Sequence, residues 1–449
     1  MASDLNALLD YVVTRAEQLG ASSADAVASD YVEGNVRVRL GEIEELTRAR
    51  ERQLGLRVFV GQRQAISATS DLRESALEGF VQGVLAMAQL TAEDPHAGPP
   101  DPSATGATHG DDPALYDPAA EGFDLERGLV WALEAEKAAL DDPRMKNSEG
   151  ASFGFGAGLR AFRASGGVSG SYRSSSFSGS VTPVAEVDGA MERDYWYSSR
   201  RHVKDLQPAA EVGLIARERT LRRLGARRLP TGERVVVFDP MMASGLLRSL
   251  AGALNGNTVY RGASYLRDKL GQSIASSLVT IVDDGSLKGG IATRPFDGEG
   301  LVSRRNVLVG GGVLERFLTD TYSARKLGTV STGNASRGVG DGPTVGTTNL
   351  HLLPGSLSPA QLLDGIADGF YVTELIGFGV NVTTGDYSQG AAGVRILNGQ
   401  LDHAVSEVTV AGNLATMLAD IEGIGSDLDL HRGTSAPSLR LRRLMVAGE

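Results

Sequence analysis

Short apolar runs separated by glycine are the feature that most limits what this chain can fold into. The chain has 57 glycines among 449 residues, roughly twice the usual share of about 7%. Runs this short are typical of strands joined by turns rather than of long helices. In the second half of the chain they lie at 235–238, 278–282, 307–309, 371–376, 394–397 and 408–410. The pattern predicts a β-rich C-terminal half.

Helical spacing of apolar residues dominates the first half instead. It covers four segments: 4–20, 72–91, 124–141 and 206–225. Between the first two, apolar residues alternate with arginine as in strands, and a Ser/Gly/aromatic alternation over 148–200 predicts antiparallel strands with much solvent contact. The proline-rich stretch at about 92–122 has no periodic pattern and is predicted to be a linker or surface excursion.

These patterns predict an α+β fold in two domains. Residues 1–224 form an N-terminal domain of helices and an antiparallel sheet, and residues 225–449 form a β-rich C-terminal domain with few helices. Short helices are expected at 242–254 and 359–368. A chain of 449 residues is too long for one ordinary core, which agrees with this division.

Charge and composition exclude several classes of protein. The net charge of −11 argues against a general nucleic-acid binder. No stretch approaches the ~18 apolar residues of a membrane span, and the N-terminus lacks the features of a signal peptide. The absence of cysteine excludes disulfides, thiolate nucleophiles and cysteine-ligated metals. We therefore expect a cytoplasmic protein without a nucleic-acid or membrane partner.

An arginine-rich segment, 217–234, is the one strongly basic stretch. Its seven arginines are at positions 217, 219, 222, 223, 227, 228 and 234. Such a helix could contact nucleic acid or an acidic partner. In a net acidic chain we interpret it instead as a solvated helix face near the joint between the domains.

A polar cluster interrupts the apolar stretch 369–401. It consists of Asn381, Thr383, Thr384, Asp386 and Ser388. Because strands normally exclude Asp, Asn and Gly, these residues predict a turn or bulge between buried strands. A plain hairpin turn would need Gly385 for positive φ and Asp386 as a turn former. Turns of this kind also carry binding sites, so both interpretations stay open at this point.

Most catalytic motifs that can be named are absent from the sequence. There is no Gly-Lys dipeptide for a phosphate-binding loop, and Ser388 stands in Gly-x-x-Ser-x-Gly rather than in a nucleophile elbow. The six histidines are far apart in sequence and do not form a helical pair at metal spacing. Two acidic pairs remain, Asp283-Asp284 after an apolar run and Asp297 with Glu299. Each could bind a cation or act as acid and base, but each is equally typical of a turn.

A set of segments in fixed order resembles a known family. They are NSEG (147–150), LGARRLPTGERVVVFDP (224–240), VTIVDDG (279–285), LTDTYSARKLGTVSTGNASR (318–337), TNLHLLPG (348–355), the stretch 369–401, VTVAGNL (408–414) and LMVAG (444–448). Together they look like the TldD/PmbA family of bacterial and archaeal peptidases. The resemblance covers nearly the whole chain and is strongest after residue 224.

The resemblance also places the chain within one branch of that family. TldD-like members carry His-Glu-x-x-x-His on a helix as part of a zinc site, and PmbA (TldE)-like members lack this motif. In this chain the matching positions are Arg248, Ser249 and Ala253. Arginine repels a divalent cation and alanine offers no ligand atom, so the resemblance implies a subunit without catalytic residues or a metal of its own.

What the resemblance implies about function is a heterodimer. The chain would pair with a TldD-like subunit that holds the zinc, and the two would enclose a chamber in which unfolded or short peptides are cut. Arg248, Asn381, Thr384, Asp386 and Ser388 are then the candidate contacts to peptide or partner. Gly298 stands where the family's Phe-Asp-x-Glu-Gly loop is expected to carry an acidic residue, which weakens a catalytic role for Asp297 and Glu299.

Three alternatives stay open at this stage. The first is a self-sufficient peptidase that takes metal ligands from its scattered histidines and carboxylates. The second is a regulatory protein-binding subunit, because the family's older name is a modulator of DNA gyrase. The third is a homodimer without a TldD-like partner, since relatives that resemble one another can share a two-fold interface.

Overall fold

The computed structural model describes residues 2–101 and 113–448, with side chains from residue 4 onward. Of the predicted linker at 92–122, residues 102–112 lie outside this description. The residues on either side of them form turns and one short 3₁₀ helix, Pro118–Ala120.

An antiparallel sheet of seven strands organises the first half. Its strands are β1 Ser23–Arg39, β2 Glu42–Val60, β3 Arg63–Thr69, β4 Met145–Ala164, β5 Ser169–Val187, β6 Ala190–Arg193 and β7 Trp196–Arg200. Their order in the sheet is β3-β2-β1-β4-β5-β6, and β7 pairs with β5. The β1–β2 turn has positive φ at Leu40 and Gly41, and the buried Glu136 carboxylate accepts both of their N–H groups at 2.9 Å. The sheet confirms the predicted N-terminal architecture.

Within the described part of the first half, four helices cover one face of this sheet, and each coincides with a predicted helical segment. They are α1 Ala2–Gln18, α2 Glu74–Leu90, α3 Leu125–Ala139 and α4 Ala209–Leu221. The first two bury Leu9 and Val84 against one end of the sheet, and the other two pack on the opposite end. At that second end Phe153 and Phe177 are buried, so the predicted solvent contact of these strands is wrong for their aromatic side.

The second half contains two larger sheets and four short helices. The elements are β8 Gly232–Phe238, α5 Pro240–Leu254, α6 Gly256–Tyr260, β9 Ile281–Asp284, β10 Arg305–Gly310, β11 Val313–Leu314, α7 Thr321–Leu327, β12 Ala335–Ser336, β13 Thr344–Val345, β14 Asn349–Leu352, β15 Asp368–Ile376, β16 Asp386–Leu397, β17 Gln400–Asn413, α8 Leu414–Ala419, β18 Ile421–Ile424, β19 Thr434–Ser435 and β20 Leu439–Ala447. The six-stranded sheet has the order β17-β16-β15-β8-β20-β18, the five-stranded sheet has the order β11-β10-β9-β14-β19, and β12 pairs with β13. One continuous core fills the space between the sheets and α5. The predicted β-rich half with few helices is confirmed.

Two local predictions in this half are wrong. Residues 359–368 form successive turns instead of a helix, because hydrogen bonds such as Leu363 N–H to Ala360 C=O span three residues and Gly365 takes a φ of 74°. The strand predicted at 278–282 begins only at Ile281 and continues through Asp284. Leu278 is 53% exposed and lies outside it. Buried polar partners, Asn334 and Thr348, hold Asp283 in the strand, and the sequence does not reveal those partners.

The arginine-rich segment is also less solvated than predicted. Arg219 is buried and lies 3.3 Å from Asp194 and 3.6 Å from Asp239. Arg223 forms ion pairs with Glu192 at 3.0 Å and Glu374 at 2.6 Å. Because these acids come from both halves of the chain, the segment joins the halves through ion pairs.

In the part of the chain that the structure describes, no helix is long and apolar enough to cross a membrane.

Candidate functional site

Helix α5 carries the three positions that the resemblance singles out, and its start is firmly fixed. Asp239 caps the helix, since its carboxylate accepts the Met242 N–H at 2.8 Å, and Pro240 occupies the first turn where its missing N–H costs nothing. The leucines at 246, 247, 250 and 254 are all buried in the core. The predicted core face of this helix is therefore confirmed.

The three singled-out side chains do not share one surface. Arg248 is exposed, and Ser249 is half-buried with its hydroxyl donating to Gly245 C=O at 3.2 Å. Ala253 is fully buried and faces the core. A guanidinium, a hydroxyl already hydrogen-bonded to the helix and a methyl group do not fit a zinc ion, which is bound by imidazole, thiolate or carboxylate.

The polar cluster at 381–388 forms a tight turn whose hydrogen bonds are mostly internal. Gly385 N–H donates to Asn381 C=O at 2.7 Å, and Thr384 Oγ1 donates to Asp386 Oδ2 at 2.6 Å. Gly385 has a φ of 82°, as the hairpin interpretation requires. Asn413 holds the turn from outside, because its side-chain amide donates to Thr384 C=O at 3.0 Å. The cluster is thus a well-ordered turn held by its own hydrogen bonds, and Asp386 is the first residue of β16.

This turn lies beside the outer face of α5. Val382 C=O accepts the Tyr265 N–H at 3.1 Å, and Thr383 Oγ1 donates to Ala263 C=O at 3.2 Å. Gly252 of α5 faces Val382, where an added Cβ would lie 3.4 Å from the valine side chain. The structure therefore brings Arg248 and the 381–388 turn to neighbouring parts of one surface, which we call the α5 surface. Asn381, Thr384, Asp386 and Ser388 are all exposed on it.

Two apolar side chains stand out at the edge of the α5 surface. Phe378 is fully exposed and Ile376 is 57% exposed. They lie where β15 ends, and Gly377 between them has a φ of 92°. The loop is short, because Ser388 N–H donates to Gly379 C=O at 2.7 Å and fixes its far side. An exposed aromatic ring on a fixed loop is typical of a contact surface.

The first acidic pair has structural partners. Asp283 is fully buried and accepts the Thr348 N–H at 2.7 Å and the Asn334 amide at 2.6 Å. Burial raises the pKa of Asp283 above its ordinary value despite these donors. Asp284 accepts the Ser286 N–H at 2.9 Å, as a turn residue does.

The second acidic pair lies between the two halves of the chain. Asp297 accepts three backbone N–H groups, from Glu299, Leu301 and Ala335, at 2.9 to 3.0 Å. Burial, followed by the charge of Glu299, raises the pKa of Asp297 to about 7. Gly298 is needed here, because a Cβ would lie 2.7 Å from the Cβ of Arg337. An acidic residue at this position would not fit.

Sequence analysis missed the buried ion network that surrounds this pair. Asp25 of β1 contacts Arg57 of β2 and Arg337, and Arg57 also lies 3.5 Å from Glu299. All four side chains are buried. The alternation along β2 did not indicate it, because Arg57 lies between Leu56 and Val58, on the face that the pattern assigns to solvent, and yet that face is buried here.

Metal ligands do not gather elsewhere in the described ranges. Over residues 2–101 and 113–448, no three His, Cys, Asp or Glu side chains lie close enough together to hold a metal ion.

Comparison with known proteins places the chain in a family. Family models match three consecutive stretches: PmbA/TldA metallopeptidase domain 1 at 24–88, the central domain at 118–224 and the C-terminal domain at 231–448. The metalloprotease PmbA of Escherichia coli O157:H7 is 36% identical over 98% of this chain and 96% of its own length. The chain belongs to the PmbA/TldD family.

Other members of the PmbA/TldD family agree in sequence and in fold. A PmbA homologue from Haemophilus influenzae is 34% identical, covering 99% of this chain and 96% of that protein. The crystal structure of a candidate modulator of DNA gyrase from Bacteroides thetaiotaomicron superposes with a TM-score of 0.92 at 29% identity, covering 99% of both chains. TldE from Thermococcus kodakarensis shares the fold at 19% identity, with a TM-score of 0.89 over 98% of this chain and 100% of that one. Since its sequence relatives are named metalloproteases, the PmbA/TldD family is peptidase-related.

Proposed function

We propose that this chain is a non-catalytic subunit that pairs with a TldD-like metallopeptidase subunit, and that the zinc resides in that partner. One observation carries the proposal. Helix α5 keeps its buried leucine face, while Arg248, Ser249 and Ala253 present groups that do not bind zinc. A helix that retains its packing but not metal ligands suits a subunit that completes a chamber instead of performing the hydrolysis.

In this proposal the α5 surface faces the chamber or the partner. Arg248 offers an exposed guanidinium to a carboxylate of the peptide or of the partner, as arginine commonly does. The exposed side chains of Asn381, Thr384, Asp386 and Ser388 offer further hydrogen bonds. An unfolded or short peptide can bind as an added strand through its main chain, which requires no particular sequence. The pair would act in the cytoplasm, without nucleic acid or membrane.

The experiment that tests the proposal compares this chain alone, a TldD-like subunit alone and their mixture. We expect zinc and cleavage of an unfolded peptide in the mixture, and neither for this chain by itself. Stoichiometric zinc and cleavage by the lone chain would overturn the proposal in favour of a self-sufficient peptidase. A two-fold dimer of this chain that does not bind the TldD-like subunit would also contradict the proposal.

Arg248→Ala in the reconstituted pair tests the role of the α5 surface. We expect slower peptide cleavage with an unchanged fold, because an exposed arginine contributes little to stability. Arg305→Ala is the matched control, since Arg305 is another exposed arginine of the same half, at the start of β10. If both variants cleave the peptide at the same rate, Arg248 does not take part in the function of the α5 surface.

The 29% identical protein from Bacteroides thetaiotaomicron suggests a second candidate function, because it is described as a candidate modulator of DNA gyrase. This contact would be between proteins, so the acidic charge of the chain does not oppose it. Co-purification of a type II topoisomerase in place of a TldD-like subunit would favour this function over the first.

A further inference from the structure

A basic cavity of about 590 Å³ lies between the two halves of the chain, apart from the α5 surface. Its walls come from the segment at the end of β7, residues 199–205, from the turn at 287–291, and from residues 430–431. Both halves of the chain thus contribute to one cavity.

The charges in this cavity are strongly unequal. Arg200, Arg201, Lys204 and Lys288 line it, and Asp205 is its only acidic lining residue among the described ones. None of the four cations has a described carboxylate within 4.0 Å. In a chain with a net charge of −11 this excess of positive charge is unusual, and it leaves an attraction for anions.

Arg201 holds part of this charge in a fixed place. Its guanidinium donates to the carbonyls of Gly290 at 3.3 Å, Ile291 at 2.6 Å and Ser175 at 3.0 Å. Carbonyls accept these hydrogen bonds but carry no formal charge, so the positive charge of Arg201 is not compensated. Burial accordingly lowers the pKa of both Arg201 and Arg200. The same bonds fix the turn at 287–291 against the first half of the chain.

We propose that this cavity binds a compact, multiply charged oxyanion of the diphosphate type. Arginine and lysine together are the side chains that proteins use most for phosphate oxygens. Four cations face the carboxylates of Asp205 in the lining and of Asp429, whose charge acts on Arg200, and this excess leaves room for a ligand with more than one negative charge. Among the described residues the lining contains no Phe, Tyr or Trp, and its aromatic side chains are the imidazoles of His202 and His431, which offer a nucleobase only a small surface to stack on. A bound anion would also link residues from both halves.

Isothermal titration of the full chain with inorganic pyrophosphate, at constant ionic strength, tests this proposal. The variant K204Q/K288Q removes two exposed lysines of the cavity without touching the hydrogen bonds of Arg201. We expect its dissociation constant to rise by about tenfold or more, as loss of charge-assisted hydrogen bonds does. The control K146Q/K269Q removes two exposed lysines elsewhere, with the same change in net charge, and we expect it to bind as the wild type.

Two results would overturn the assignment: no binding of pyrophosphate by the wild-type chain, or equal weakening in both double variants. A parallel titration with ADP separates two sources of the same group. If ADP binds more tightly than pyrophosphate, the ligand of the cavity is the diphosphate group of a nucleotide. If pyrophosphate binds more tightly, the ligand is the free ion. Because no partner subunit is present in these measurements, their outcome is independent of the proposed peptidase role.

Discussion

The carboxylate of Asp25, in the N-terminal sheet, accepts a hydrogen bond from the guanidinium of Arg337, 312 residues later in the chain, and both side chains are buried. Arg57 donates to the same carboxylate at 2.8 Å. Burial alone would raise the pKa of Asp25, but the two guanidinium groups lower it below its ordinary value. The two halves of the chain are therefore joined by an ion network from which water is excluded.

Arg337→Met should strongly destabilise the protein. The substitution leaves Asp25 buried with only one of its two arginines, and breaking a buried ion pair in this way typically costs about 3–5 kcal/mol. The free energy of unfolding from urea titration measures the loss. Arg267→Met, at an exposed position, should change it by no more than about 0.5 kcal/mol. A similar small change in Arg337→Met would mean that the network contributes little.

Asp297 should make the protein less stable as the pH rises from about 4 to about 7. The pKa of Asp297 is about 7 in the folded chain, whereas an unfolded aspartate titrates near 3.9. Between these values the folded state keeps a proton that the unfolded state has lost, so each pH unit removes up to about 1.4 kcal/mol of stability. Above pH 7 Asp297 is ionised in both the folded and the unfolded chain, so its contribution to the free energy of unfolding no longer changes with pH.

The matched comparison for this pH dependence is Asp297→Asn. The variant cannot titrate at that position, so the difference between its free energy of unfolding and that of the wild type should vary with pH only between about 4 and 7. Urea titrations at pH 5, 6, 7 and 8 measure that difference. Parallel curves for the two proteins would show that Asp297 does not hold a proton in the folded state.

The elements that sequence analysis located are those set by neighbouring residues. The stripe of apolar residues over 4–20 is sufficient to define α1, and the leucines of α5 define its buried face in the same way. Glycine at 385 and aspartate at 386 define a turn because the required φ depends on local sterics alone. For the candidate site, sequence analysis located α5 and the turn but could not show that they adjoin.

Interactions across the chain explain what the sequence could not indicate. Asp283 sits inside a strand because Thr348 and Asn334 satisfy its carboxylate, and these residues are distant in sequence. Leu362, Leu363 and Ile366 have helical spacing, yet the segment makes turns. Gly365 takes a φ of 74°, and the next two C=O groups accept the N–H groups of Asn398 and Gly399, which are distant in sequence. The sequence alone predicts that Arg219 faces solvent, but in the folded chain Arg219 is buried because it pairs with Asp194 and Asp239.

Gly385→Ala should destabilise the turn on the α5 surface by roughly 1–3 kcal/mol. Alanine at a φ of 82° is strained, and its Cβ would also lie 3.0 Å from Asn413 Oδ1. Gly271→Ala separates these effects, since Gly271 has a φ of 76° but no heavy atom within 4 Å of an added Cβ. We expect a larger loss in the free energy of unfolding for Gly385→Ala. Equal losses would assign the whole effect to backbone strain.

Phe378→Ala should weaken assembly without weakening the fold. The ring is fully exposed, so its removal should change the free energy of unfolding by less than about 0.5 kcal/mol. An aromatic side chain that becomes buried at a subunit contact commonly contributes about 2 kcal/mol or more to binding. The dissociation constant with a TldD-like subunit, measured by titration, should therefore rise by more than tenfold. Leu90→Ala serves as the control, because Leu90 is 88% exposed on α2, far from α5 in sequence. If both variants bind the partner like the wild type, the loop of Phe378 does not belong to the interface.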